Sequence, residues 1–164
     1  MYSVELGFND ALTRINALIR NGHHSESLVT SMFTIEKTLR RTLKQIIISA
    51  GFKNTAADKI LDGIRGLKAI SHAWQIYDPH GRRLSAILGP VDWNIIIAAS
   101  EKRNKLVHGL RIYDSTECQS ETQKVLGVLT NLVSVFRTLY GYDGWTKIAI
   151  RKKSVLHLKP KINL

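Results

Sequence analysis

Six consecutive residues near the middle of the chain carry the side chains that metal-free RNA cleavage needs: Arg103-Asn104-Lys105-Leu106-Val107-His108. An imidazole can give and take a proton near neutral pH. A guanidinium offers a planar fork of donors to the extra negative charge of a phosphoryl transition state. An amide can orient either group. The same residues also make an ordinary helix end. The negative end of a helix dipole favours cations in the last turn and glycine just beyond it. Lys102, Arg103, Lys105, His108 and Gly109 satisfy that rule with no chemistry at all.

At ~100° per residue, Asn104 and His108 share a helix face, with Ser100 one turn further back. Arg103 lies about 140° from His108 on an ideal helix. One helix therefore aims the two only loosely at a common point. A long arginine stem, a frayed last turn, or a second copy of the helix across a two-fold axis could bring them together. The run resembles the signature of HEPN domains: arginine, a polar residue, three more residues, histidine, then a helix break. Here that signature is Arg103 to His108, with Gly109 as the break. The resemblance implies a small helical bundle. It also implies a ribonuclease of the toxin or antiviral type, working as a homodimer with both motifs in one composite site. One departure concerns regulation. A HEPN toxin paired with a nucleotidyltransferase antitoxin usually has a tyrosine two residues after the histidine. This chain has Leu110 there, and its nearest tyrosine is Tyr113.

Helices must position these residues. Asn9 or Asp10 can cap a first one, with Ala11, Leu12, Ile15, Leu18 and Ile19 on one face and a stop at Asn21-Gly22. After Ser25, the residues Leu28, Met32, Ile35, Leu39, Leu43 and Ile46 recur at three and four, the spacing of a core-facing helix that ends at Gly51. Its other side is basic, with Lys37, Arg41 and Lys44 in line and Arg40 beside them. That face is either a solvated surface or a track for RNA phosphates, together with Lys105. Glu36 can pair with Arg40 on the surface or turn inward to Arg103. A third helical segment begins near Asn54 and is interrupted by Gly63 and Gly66, which predicts a bend or a split. Asp78-Pro79-His80-Gly81 reads as a turn, and Gly89-Pro90 closes that polar connection. The motif helix, from about Val91 to His108, mixes apolar residues on several faces and is expected to be deeply buried. A last helix carries Val125, Leu129, Leu132, Phe136 and Leu139 up to Gly141.

The 164-residue chain has 24 Lys and Arg against 13 Asp and Glu, a net charge of +11. Such an excess suggests a polyanionic partner, nucleic acid before an anionic membrane surface; an inert basic surface is the plainer alternative. Cys118 stands alone, so neither a disulfide scaffold nor a cysteine metal site is expected. The six histidines form no ligand set, and neither a metal nor a cofactor is expected. The longest apolar run, Ile95 to Ala99, is far short of a membrane span, and no signal peptide is evident. A cytoplasmic location is the expectation.

The reading is an all-α antiparallel bundle of four to five helices over 1–145, followed by a basic extension over 146–164. In that extension, Lys147 to Arg151 and Val155 to Lys159 alternate around Arg151-Lys152-Lys153, as a small β-hairpin or a basic tail. The expected activity is metal-independent RNA cleavage, with Arg103, Asn104 and His108 catalytic. RNA is the expected partner, and an antitoxin or inhibitory protein a further one. A catalytically silent HEPN-like module that binds RNA, nucleotide or protein is the alternative.

Overall fold

The computed structural model describes residues 7–146 and 150–155. The described residues form an all-α fold of seven helices: α1 (Phe8–Arg20), α2 (His24–Ser49), α3 (Asn54–Asp62), α4 (Gly66–Tyr77), α5 (Leu84–Leu88), α6 (Pro90–Val107) and α7 (Ser115–Tyr140). Seven replace the expected four to five for two local reasons. The glycines at 63 and 66 split the third segment into α3 and α4, with Gly66 at φ 77°. The presumed polar connection after Asp78 also makes a short helix, because Leu84 and Leu88 are both buried.

The chain is organised around α2. Its predicted apolar stripe, Leu28, Met32, Ile35, Leu39, Leu43 and Ile46, is buried. A second stripe of Ser27, Ser31, Thr34, Thr38 and Thr42 is buried as well. Small hydroxyl side chains let a neighbouring backbone come close, and most return their proton to a carbonyl one turn back, as Thr38 Oγ1 does to Thr34 O at 2.7 Å. Ser27 and Thr122 hydroxyls meet at 3.1 Å, joining α2 to α7. The long helix α7 starts where the Asp114 carboxylate accepts from Glu117 N at 2.8 Å and stops at Gly141, in the left-handed region at φ 68°.

The motif helix α6 is less buried than its sequence suggests. It packs on α2, α5 and α7 from one side only, and Ile96, Ala99 and Ser100 are its buried residues. Trp93, Ile95, Ile97 and Leu106 are half-covered, and Val91 and Val107 are exposed. Only the face carrying Ile96, Ala99 and Ser100 is buried by the neighbouring helices, so apolar residues on the other faces stay partly or wholly uncovered.

At the far end of the bundle a buried carboxylate ties three elements together. Asp78 accepts from Tyr140 Oη at 2.5 Å and from Arg82 Nη2 at 3.0 Å on one oxygen. Its other oxygen takes the Arg82 side-chain Nε–H and the backbone N–H groups of His80 and Arg82. Burial alone would raise its pKa. The donors from Arg82, Tyr140 and the backbone outweigh burial and hold the carboxyl well below the usual carboxylate range. Burial and the Asp78 charge together push the Tyr140 phenol up to about 12. Tyr140 in turn accepts from Trp74 Nε1 at 3.0 Å, and Trp74 stacks on Phe136 with ring centroids 4.9 Å apart.

The expected hairpin falls mostly on 147–149 and 156–159, outside the described residues. The part that is described, 150–155, has no strand and docks on the α2–α3 turn. Arg151 N donates to Asn54 Oδ1 at 2.8 Å, Asn54 N to Arg151 O at 3.0 Å, and Val155 N to Gly51 O at 2.9 Å. Among the described residues no helix is long and apolar enough to cross a membrane.

Asp78→Asn should destabilise the fold by about 2 kcal/mol at pH 7; the figure sits below that for a fully buried ion pair because Arg82 keeps partial contact with water. The sign of the pH dependence follows from the depressed folded pKa. The contribution is complete above the unfolded carboxylate value near pH 4 and is lost as pH falls toward the folded one. Urea unfolding of both proteins should therefore show the gap narrowing below about pH 4. A gap that is constant down to pH 2 would mean that Asp78 is not the group responsible.

Candidate active site

The end of α6 is shaped by its own backbone. His108 is the C-cap, at φ −88° and ψ 4°. Gly109 follows at φ 65°, a conformation that residues with a Cβ avoid. Leu110 N then reaches back to Lys105 O at 2.9 Å, and Gly109 N to Leu106 O at 3.2 Å. This paired closure is a Schellman motif. No atom lies near where a Gly109 Cβ would project, so backbone conformation and not space demands glycine. The closure fixes the backbone that carries His108.

Arg103 faces away from that end, toward α2. Its Nη2 donates to Glu36 Oε1, and its guanidinium lies 5.2 Å from the centroid of the Phe33 ring. The Arg103 and Glu36 side chains are only 13% and 24% exposed, so solvent screens the pair weakly. Glu36 thus takes the inward of its two expected positions. The Nε–H of Arg103 is buried and has no hydrogen-bond partner. Asn104, Lys105 and His108 are exposed, and their side chains make no hydrogen bond or ion pair among the described residues. Within one chain, then, Arg103 is joined to Glu36 and not to His108.

Lys102, one residue earlier, anchors α6 to α7 through Glu117 at 3.0 Å and Glu121 at 3.5 Å. Burial pulls its pKa down, but the two carboxylates more than offset that and hold the ammonium above its ordinary range. The proposed RNA track on α2 is divided among internal partners. Arg40 donates to Ile64 O at 2.6 Å and to Leu61 O at 2.9 Å, satisfying carbonyls at the end of α3. Lys44 pairs with Asp58 at 2.6 Å. Lys37 and Arg41 lie over the Trp145 ring, 5.4 and 5.5 Å from its centroid, and Arg41 Nη1 reaches Gly144 O at 3.3 Å. These four residues therefore do not form one free line of charge. Lys37 and Lys105 are the exposed members of the predicted set.

Among the described residues no three His, Cys, Asp or Glu side chains are grouped to hold a metal. Cys118 is buried, which raises its thiol pKa despite the Ser25 hydroxyl 3.9 Å away, so it is a poor nucleophile. Sequence reasoning passed over Phe33. Its signal is an aromatic residue three before Glu36 and four before Lys37, on the charged side of α2.

Comparison of the chain with protein-family models, with curated proteins and with solved structures returned no match. Glu36→Ala and Arg103→Ala should each cost roughly 1–3 kcal/mol, because either change leaves a largely buried charge alone. The double variant should lose less than the sum by about 1 kcal/mol, as residues in direct contact do. Additive losses in thermal or urea unfolding would show that the pair is not coupled.

Proposed function

We propose that this chain is a metal-independent endoribonuclease of the HEPN type, a homodimer whose two Arg103–His108 segments line one cleft. The observation that carries this reading is the division of labour along the last turns of α6. Arg103 is oriented by Glu36 and Phe33, while Asn104 and His108 stand in solvent at a rigidly closed helix end. Geometry of this kind pre-orients a phosphate ligand and leaves a proton carrier accessible.

In the proposed reaction a ribose 2′-oxygen attacks the adjacent phosphorus in line. The O2′–P bond forms as the P–O5′ bond breaks. His108 takes the 2′-OH proton or delivers one to the departing 5′-oxygen. Arg103 stabilises the charge on the non-bridging oxygens, and Asn104 orients His108 or the phosphate. The products are a 2′,3′-cyclic phosphate and a 5′-OH end. DNA, lacking the nucleophile, is not a substrate. The dimer answers a geometric need, since Arg103 and His108 diverge on one helix. Exposed apolar side chains beside His108 support it: Val107 is 55%, Leu110 76% and Ile112 92% exposed. Adjacent exposed apolar residues favour an interface. The net charge of +11 supports RNA as the substrate and an acidic protein as the natural restraint, such as an antitoxin.

A second reading, a catalytically silent binding module, is favoured by one fact: Glu36 already neutralises Arg103. The decisive comparison is wild type against His108→Ala on the same RNA in excess EDTA. Cleavage should fall by about 10²–10⁴-fold, with thermal stability unchanged because His108 is exposed. Arg103→Lys should restore only part of what Arg103→Ala loses, since an ammonium lacks the planar fork. Equal cleavage by wild type and His108→Ala would place the activity elsewhere. No cleavage by wild type would favour the binding module. Light scattering should find a dimer at concentrations where RNA is cut, and monomers alone would remove the composite site.

A further inference from the structure

Phe33 is 51% exposed, although it lies on the helix that forms the core. One side of its surroundings is the Arg103 guanidinium. Another is a concavity of about 310 Å³ between α1, α2 and Trp145, whose walls include Arg14, Thr30, Thr34 and Lys37. That volume is at the small end for ligand pockets and suits one planar group, not a duplex.

The Trp145 wall is built, not incidental. Trp145 Nε1 donates to Thr38 Oγ1 at 3.0 Å, and Phe8 packs on the indole at 5.7 Å. Gly144 makes this docking feasible: a Cβ there would lie 3.0 Å from Thr38 O. The cations of Lys37 and Arg41 already attend the indole. Phe33 is therefore the more open aromatic surface, and Trp145 serves as a fixed wall. Arg14 is exposed and has no partner among the described residues. Arg14 and Thr30 also line a neighbouring groove of about 510 Å³, which runs to Leu106 and Val107, immediately before His108. Glu26 lies in that groove and disfavours phosphate near it, so the cationic rim is at the Arg14–Lys37 side.

We propose that Phe33 is the stacking platform for an unpaired base of single-stranded RNA, with Arg14 and Lys37 taking the flanking phosphate and the strand continuing past Arg103 toward His108. The assignment rests on the nuclease reading for its substrate class, and it adds the subsite that selects unpaired over paired RNA. Aromatic faces interleaved with cations are the general means of holding single strands, because every base has a π face. Base contacts made in this way tolerate sequence but not pairing.

The test uses the full chain carrying His108→Ala, so that RNA survives the measurement. The probe is a single-stranded RNA octamer containing 2-aminopurine, followed by anisotropy and by fluorescence quenching. Phe33→Ala and Phe33→Leu should each weaken binding about tenfold and reduce quenching, while Phe33→Trp should retain both. Leucine keeps apolar volume without a π face, so it separates stacking from packing. Arg14→Ala should weaken binding and flatten its salt dependence, with quenching at saturation kept. In the active protein, Phe33→Leu should raise KM for single-stranded RNA. Octamer binding that is the same for Phe33, Ala and Leu overturns the subsite, even if His108-dependent cleavage is present. A duplex that binds as tightly as the single strand overturns it too. Phe33-dependent quenching in a protein that cuts no RNA leaves the subsite standing and removes the nuclease reading instead.

Discussion

A single central helix has to be satisfied on almost every side, and that constraint explains most of this structure. α2 packs against α1, α3, α4, α6 and α7. Its apolar stripe meets the core, and its serines and threonines give close contact elsewhere without leaving hydroxyls unpaired, Thr42 being an exception. What remains on such a helix is a narrow charged strip. A cation there is already close to neighbouring elements, so it finds a carbonyl, a carboxylate or an aromatic ring. Arg40 and Lys44 hold α3 in this way, and Arg41 holds the turn after α7. The basic face is largely the mortar of the bundle.

The same constraint creates the candidate site. Where α6 crosses α2, the strip offers Glu36 and Phe33, and Arg103 is the cation they receive. A guanidinium between a carboxylate and a ring has few rotamers left. That ordering costs side-chain entropy at folding, and the guanidinium's orientation is set before any ligand binds. The Glu36 charge works in the opposite direction, since it competes with any anion for the same donors. The unsatisfied Nε–H offers no way round this, because it is itself buried.

Much of the fold was legible because periodicity is local. The α2 stripe, the glycine stops of α2 and α7 and the break at Gly63 and Gly66 follow from spacing and backbone chemistry, and each is present. Burial of α6 was not legible. Apolar residues around a helix read alike whether they enter a core or await a partner, and only packing separates the two cases. Long-range pairing was hidden for the same reason. Glu36 had two partners in reach of the sequence, and 67 residues separate it from the one it has. Trp145 reaches Thr38 across 107 residues through a glycine whose importance is invisible without the neighbouring backbone.

Net charge shows the limit of composition most clearly. An excess of +11 says that a polyanion will be attracted, but not where it will lie. Cations spent on Glu36, Asp58, Asp78, Glu117 and Asp143 contribute little local field, because each has its counter-charge within contact. The field outside the molecule is set by those without one. Arg14 on α1 and Lys105 on α6 are two of these, and neither belongs to the conspicuous basic line of α2. Arg14 lines both grooves beside α2, and Lys105 lies in the last turn of the motif helix, three residues before His108. Part of the uncompensated positive field therefore lies at the margins of α2 and the end of α6, outside that basic line.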